Sequence, residues 1–396
     1  MKLHPQNRFR FSLIFLVSVV LLIIGIITIY SATGNVYVIR QIIWSVIAIF
    51  GFVIAYQIPR RVLENAASYF GIFILLLLIA VLFIGTGVGT NRWFSFGFIN
   101  IQPSEFAKLG LILILAQFWV NKKIGLRTKD LFLPITAVII FTGLVFLEPD
   151  LGTALVFIPI LAAMLYWKGL PLFKVFLLFS PLLSFICGFS VYFWIPFFVL
   201  LVIISYKRTT ILGWLSLIAV NIIAGLMSPI IWAHLKEYQK ARITGFLSPW
   251  LDPKGMSWNL IQSQIAIGSG RFWGKGFLSG TQKKLAFLPN RHTDFIFSAL
   301  TEEFGFIGGI IVLSLYFYLI YQFINTAYKA RDEFSSLVAI GLSTVLIYQV
   351  FVNIGMVLGL LPITGIALPF LSYGGTSLLF FFISIGLILN IRNKQE

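Results

Sequence analysis

FSLIFLVSVVLLIIGIITIY, residues Phe11–Tyr30, decides the architecture of this chain. It runs without a charge for about the 20 residues that a helix needs to cross a bilayer. Lys2, Arg8 and Arg10 precede it, as in a signal peptide, but its apolar stretch exceeds the roughly 7–15 residues usual there. The expectation is a first helix that stays in the membrane.

Outward from this run the pattern repeats. Twelve apolar spans are read, at 11–31, 40–58, 67–85, 104–120, 131–148, 151–167, 173–189, 190–206, 210–233, 295–323, 335–360 and 366–391. The seventh and eighth abut at Ser190, as a hairpin or one irregular pass. Of 396 residues, 59% are apolar and 11% charged, against about a quarter charged in soluble domains. That excludes a water-soluble fold and a disordered chain. Long unbroken runs exclude an outer-membrane barrel, whose strands alternate. The reading is an all-α polytopic membrane protein: one transmembrane domain over 1–396, with one long loop at 234–294.

Charge sets the sidedness. Lysine and arginine fill every even-numbered gap: Arg60 and Arg61, Lys122 to Lys129, Lys168 and Lys174, Lys207 and Arg208, Lys329 and Arg331, Arg392 and Lys394. Both termini are therefore expected in the cytoplasm. The formal charge of +16 then reflects cytoplasmic loops and not nucleic-acid binding. The single cysteine, Cys187, allows no internal disulfide, and three histidines suggest no zinc site. Loop 234–294 falls outside by this count, yet it carries Lys236, Lys240, Arg242, Lys254, Arg271, Lys275, Lys283, Lys284 and Arg291. Long loops translocate despite charge. Such a loop suits an anionic partner, such as a phosphate-bearing lipid, or simply rests on anionic headgroups.

Polar residues at the edges of apolar spans are functional candidates. Arg92 precedes Gln102-Pro103-Ser104-Glu105-Phe106-Ala107-Lys108. Ser104 is expected to cap the fourth span, with Glu105 and Lys108 on one face. They form either a structural ion pair or the lining of a substrate cavity. Glu148-Pro149-Asp150 marks a hairpin in which Asp150 is expected to cap the next helix; capping does not explain Glu148. The long loop ends in His292-Thr293-Asp294-Phe295-Ile296-Phe297. Asp294 complements the dipole of the helix it begins, or serves as a general base, since desolvation strengthens a half-buried carboxylate as a base. The stretch from Asn353 to Thr376, with Pro362, Pro369, Gly365 and Ser372, breaks an apolar region. Broken backbone at membrane depth is tolerated where it is buried in protein or lines a cavity, and small residues there also serve ordinary helix packing.

Together these motifs resemble the SEDS family (shape, elongation, division and sporulation proteins). The resemblance is strongest over Tyr238–Leu379 and clear again over Gly85–Ala154. It rests on His292-Thr293-Asp294-Phe295-Ile296-Phe297, Glu302-Glu303, Gly305 and Ser372-Tyr373-Gly374-Gly375. Asn353-Ile354-Gly355-Met356 and Gly359-Leu360-Leu361-Pro362 look like the elongation branch; the division branch usually carries a lysine where this chain has Ile363 or Thr364. The resemblance implies a bundle of ten core spans, so two extra passes are expected in 172–208.

It also implies a peptidoglycan glycosyltransferase that polymerises lipid II at the outer face of the bacterial cytoplasmic (inner) membrane. The implied partners are a class B penicillin-binding protein and the elongation machinery. The family's essential acid maps to Asp294, and its other motifs map to Glu105 with Lys108 and to Glu148 with Asp150. Arg92, Lys108, Arg242 and Arg271 are candidates to hold the diphosphate; His292 and Ser372 are further substrate-site candidates. A divalent cation, magnesium or manganese, is chemically reasonable, though no cluster dictates a site. Asn290 and Ala286 stand where the family often has acids, which counts against a mechanism with a second carboxylate there. Lipid II flipping and a non-catalytic scaffold are the competing classes. The clustering of polar motifs at the outer face favours polymerisation over a path across the midplane.

Overall fold

The computed structural model describes residues 6–87, 91–97, 99–120, 122, 128–206, 208–235, 237, 240, 244–246, 257–280 and 292–393. The first seven helices are α1 (Gln6–Thr33), α2 (Asn35–Gln57), α3 (Arg60–Ile84), α4 (Pro103–Trp119), α5 (Thr128–Leu147), α6 (Leu151–Leu155) and α7 (Phe157–Trp167). After them come α8 (Leu172–Cys187), α9 (Val191–Ser205), α10 (Ile211–His234), α11 (Trp258–Ser269), α12 (Ile296–Lys329), α13 (Glu333–Leu358) and α14 (Gly375–Asn393). Strands β1 (Phe94–Phe96) and β2 (Ile99–Ile101) pair antiparallel, Phe94 opposite Ile101.

Among the described residues, eight helices are long and apolar enough to cross a membrane: α1, α2, α3, α5, α10, α12, α13 and α14. The shorter apolar helices include α6–α7, α8 and α9. At the junction read as a hairpin or one irregular pass, a turn at 188–189 separates α8 from α9. Within 172–208, Pro181 and Pro196 lie inside α8 and α9. In α8 and α10, Asn221 donates to Ser180 Oγ (3.0 Å) and Ser184 donates to the Asn221 carbonyl (2.7 Å). This is the polar glue of helices that gain nothing from apolar contact in lipid.

Helices α13 and α14 are the most buried spans, and α10 the least. A helix that is apolar all round belongs in a bundle's interior, and both read that way. Small residues let α14 approach α2: a Cβ on Gly386 would lie 2.6 Å from the Phe52 carbonyl, and one on Gly375 would overlap the Trp44 ring. At the end remote from the cavity described below, buried Lys168 donates to the Trp119 carbonyl (2.7 Å) and to the Glu333 carboxylate.

Two expectations need correction. The last span does not begin at 366: residues 359–374 are non-helical, and the helix starts at Gly375. Gly359 at φ 79° ends α13 in a left-handed cap, and Gly365 at φ 76° and Phe370 at φ 65° keep the chain out of a helix. Ser104 does not cap α4. Pro103 takes the first helical position, where its missing N–H costs nothing, so Gln102 holds the cap position.

The packing of α14 on α2 yields a prediction. Gly386→Val should lower stability by about 1–3 kcal/mol through overpacking, read as a drop in melting temperature in detergent. Gly143, with open space around it, is the control, and Gly143→Ala should be neutral or slightly stabilising. An unchanged melting temperature for Gly386→Val would mean that α2 and α14 are not this close.

Candidate functional site

A cavity of about 740 Å³ opens at one end of the bundle. Its walls come from α2, the 86–102 segment, the start of α4, the turn before α6, the turn before α12, α13 and the non-helical stretch before α14. All four motif groups read from the sequence contribute to it or to its supports.

Asp294 lines the cavity, half-buried, in the turn 292–295. It lies two residues ahead of Ile296, and Phe295 holds the cap position of α12, so it is not the capping acid of that helix. Three successive carbonyls of the turn each take a separate donor. His292 O accepts from Tyr373 N (2.8 Å), Thr293 O from Ser372 Oγ (2.7 Å), and Asp294 O from Asn353 Nδ2 (2.9 Å). Asn353 also donates to the Ile366 carbonyl (2.7 Å). The backbone around Asp294 is thus clamped by α13 and the 366–373 segment. Its Oδ2 faces Gly365, where an added Cβ would make ordinary contact at 3.6 Å.

Asp150 caps α6 as expected, accepting from Thr153 N at 3.1 Å. Its other oxygen accepts from Gln102 Nε2 (2.9 Å) and Thr153 Oγ1 (3.0 Å). Gln102 N in turn donates to Thr376 Oγ1 (3.3 Å), which joins the α6 turn to the start of α14. Glu105 lines the cavity, and Lys108, fully buried, donates to its Oε2 at 2.6 Å. Lys108 also sits 4.5 Å from the Phe380 ring centroid, so it reaches the cavity only through Glu105. Arg92 lines the wall and donates to the carbonyls of Glu148 (2.6 Å) and Pro149.

Two candidates fall elsewhere. Arg271 is exposed in a segment packed against α12, away from the cavity lining. Charge pattern alone did not reveal where its loop folds. His292 is absent from the cavity lining, and its ring packs at a tilt on Tyr37, centroids 4.2 Å apart. Ser372 acts through its bond to Thr293 and not as lining. Arg242 lies outside the described residues.

Two lining residues were missed. Arg40 on α2 is exposed to the cavity with no hydrogen bond or ion pair among the described residues. Its signal was present, a cation inside the apolar run Val36–Ala55. Gln349 on α13 lines the cavity, and its buried Oε1 has no partner among the described residues. Nothing in the sequence separates it from an ordinary helix amide.

Glu148 sits in the turn after α5, buried, with neither carboxylate oxygen partnered among the described residues. Burial, helped by the Asp150 charge and partly offset by Arg92, pushes its pKa up from 4.5 to about 8.

The comparisons cover the whole chain. The FtsW/RodA/SpoVE family model, described as "Cell cycle protein", matches residues 8–219 and 187–396. The peptidoglycan glycosyltransferase MrdB of Escherichia coli K12 is 36% identical over 385 residues, covering 96% of this chain and 93% of that protein. The peptidoglycan glycosyltransferase RodA of Treponema pallidum is 33% identical, with both chains covered fully. Among solved structures, a chain of a peptidoglycan synthase complex that coordinates polymerization and crosslinking superposes with a TM-score of 0.74 at 28% identity. That match covers 96% of this chain and 97% of the other. The rod shape-determining protein RodA of Thermus thermophilus gives 0.65 at 25% identity, covering 97% of each.

The raised pKa of Glu148 predicts a pH effect on stability. Below pH 4.5 both folded and unfolded chains hold the proton; from there to about pH 8 only the folded chain does. Each rise in pH across that window therefore favours unfolding. Glu148→Gln cannot ionise. Its melting temperature should match the wild type near pH 4.5 and exceed it increasingly up to about pH 8. Parallel pH curves for the two proteins would show that Glu148 is already ionised in the fold.

Proposed function

The chain belongs to the FtsW/RodA/SpoVE family of cell-cycle proteins, and from that premise we infer that it is a peptidoglycan glycosyltransferase with Asp294 as its general base. The supporting observation is the clamp on residues 292–294, which fixes the backbone and leaves the Asp294 carboxylate on the cavity. The substrate of this reading is lipid II, at the outer face of the cytoplasmic membrane, with both termini cytoplasmic and loop 234–294 outside. The elongation role follows from Asn353-Ile354-Gly355-Met356 and from Ile363 and Thr364 at the positions where the division branch usually has a lysine. The partner is a class B penicillin-binding protein; the similarity to a chain of a peptidoglycan synthase complex supports this.

The chemistry needs one base. Asp294 takes the proton of the acceptor sugar's 4-hydroxyl. That oxygen attacks the donor's anomeric carbon with inversion, and the bond to the lipid diphosphate breaks. A glycosidase needs a second carboxyl to protonate a poor leaving group. A diphosphate leaves as an anion, so it needs charge neutralisation instead. Arg92 and Arg40 on the cavity wall supply that.

Among the described residues no three Asp, Glu, His or Cys side chains group for a divalent cation. Asp150 is engaged by Gln102 and Thr153, and Glu105 by Lys108.

The test uses purified chain, lipid II and the cognate class B penicillin-binding protein with its transpeptidase blocked, glycan being resolved on a gel. Asp294→Asn should lower polymerisation by about 10²–10⁴-fold, the usual worth of a general base. It should still fold and bind its partner, because Asn353 holds the Asp294 backbone carbonyl, which the substitution keeps. Polymerisation at the wild-type rate by a folded Asp294→Asn protein would remove Asp294 from the mechanism. Arg40→Gln should lower kcat/KM while leaving the melting temperature in place; an unchanged kcat/KM would remove Arg40 from the diphosphate subsite.

A further inference from the structure

Helix α12 is not continuous. Gly305, at φ 68° and ψ −165°, interrupts it, and the backbone groups freed there are taken up by residues 271–276. Lys275 N donates to Glu302 O and Gly276 N to Glu303 O, both at 3.0 Å. Beyond the break, Phe306 N donates to Arg271 O (2.9 Å) and Ile307 N to Phe272 O (3.3 Å). A Cβ on Gly274 would overlap the Glu303 carbonyl, so only glycine lets the segment come this close. Side chains add to the join: Lys275 Nζ donates to Glu302 Oε1 (2.8 Å), and Ser31 of α1 donates to Glu303.

The break has a definable depth. Ser31 lies near the end of α1, so the break is at the cavity end of the bundle. The rest of the helix, Phe306–Lys329, is about 36 Å long and alone spans a hydrocarbon core of about 30 Å. The segment 271–278 therefore meets the membrane at its hydrocarbon edge. There it presents Trp273, 77% exposed, and Phe272, 55% exposed, with Phe277 and Leu278 also exposed. Phe272 packs against the rings of Trp273 (5.6 Å) and of exposed Phe306 (5.8 Å). Arg271 beside them is exposed, and its guanidinium has no partner among the described residues.

We propose that residues 271–278 form a re-entrant anchor that seats Phe272, Trp273 and Phe277 in the outer leaflet, with Arg271 binding phospholipid phosphate. Non-helical backbone at this level needs partners for its polar groups within the protein, and the break in α12 supplies four: for the carbonyls of Arg271 and Phe272 and for the N–H groups of Lys275 and Gly276. Indole rings favour the headgroup boundary, and guanidinium matches phosphate in geometry and charge. A partner's membrane helix would call for an apolar strip, and an unpaired arginine in it would lose water without gaining a counter-charge. The anchor holds the 234–294 loop to the bilayer just before the stretch that leads to Asp294.

Cys187 is the sole cysteine, so spin labels can be placed singly in a Cys187→Ser background. Trp273→Cys and, in a second protein, Phe277→Cys are labelled in the full chain. Each is reconstituted in vesicles of phosphatidylethanolamine and phosphatidylglycerol. Collisions with oxygen should exceed those with a water-soluble nickel chelate at both sites. Dominant nickel collisions would make the segment an aqueous loop and overturn the proposal. Shielding from both reagents would mean a protein cover, from a second copy or a partner helix, and would overturn it too. Arg271→Glu should raise nickel access at 277; no change would overturn the phosphate contact. The readout is lipid contact and not glycan, so its failure and that of the proposed reaction are distinguishable.

Discussion

A carbonyl freed from helical pairing beside the membrane must find its donor inside the protein, and the cavity is organised around three of them. His292, Thr293 and Asp294 precede α12 and have no helical partners for their carbonyls, so Tyr373 N, Ser372 Oγ and Asn353 Nδ2 provide the donors. This one requirement explains why α13 carries a buried asparagine, why the chain from 359 to 374 is not a helix, and why Ser372 precedes Tyr373. Asn353 binds the turn and Ile366 at once, so the two irregular stretches cannot shift independently. Catalytic groups work when their supports are locked to within a fraction of an ångström, and backbone bonds lock more tightly than side-chain contacts alone.

The buried charges follow a different logic. An ion pair such as Glu105–Lys108, with Lys108 fully buried, is weak evidence for stability, because desolvating two charges offsets most of their attraction. Breaking the pair would strand a charge in the bundle. Its position explains it better: Lys108 holds Glu105 at the cavity wall while packing against Phe380. Asp150 does similar work with neutral donors, tying α4, α6 and the start of α14 through Gln102, Thr153 and Thr376. Both acids are therefore structural partners of the cavity and not free participants in proton transfer.

How much of this was legible in the sequence depended on what each residue interacts with. Membrane-spanning helices announce themselves, since nothing but length and apolarity is required. Asp150 was legible because a cap acts within its own turn. Ser104 was misread because Pro103 competes for the helix start, and local rules rank the two poorly. Arg271 and Arg92 look alike as cations near apolar runs. Only tertiary structure separates them: one packs at the break in α12, the other hangs over the cavity by two carbonyls. Arg40 was readable in principle, being a cation within a span, but the even-gap charge pattern drew attention to the other end of the bundle. Gln349 was not readable at all, because an amide one helical turn before Asn353 carries no signal until its neighbours are known.

The charge balance at the cavity depends on how its acids and arginines are engaged. Among the described residues, three acids and two guanidinium groups line it: Glu105, Asp150 and Asp294, with Arg40 and Arg92. Glu105 is neutralised by Lys108 and Asp150 is saturated by Gln102 and Thr153. Arg92 is oriented by backbone carbonyls, which place its charge without cancelling it. Among the described residues two positive charges therefore remain without a carboxylate ion pair, the deficit that the diphosphate of the proposed substrate would fill. Had Arg92 been held by a carboxylate instead, the substrate would have to break an ion pair to bind. Had Asp150 been free, a second anion would repel the leaving group as it forms. Carbonyls behind the arginine and neutral donors around the aspartate leave an anion-seeking wall. Asp294 stands on that wall with its backbone carbonyl held by Asn353.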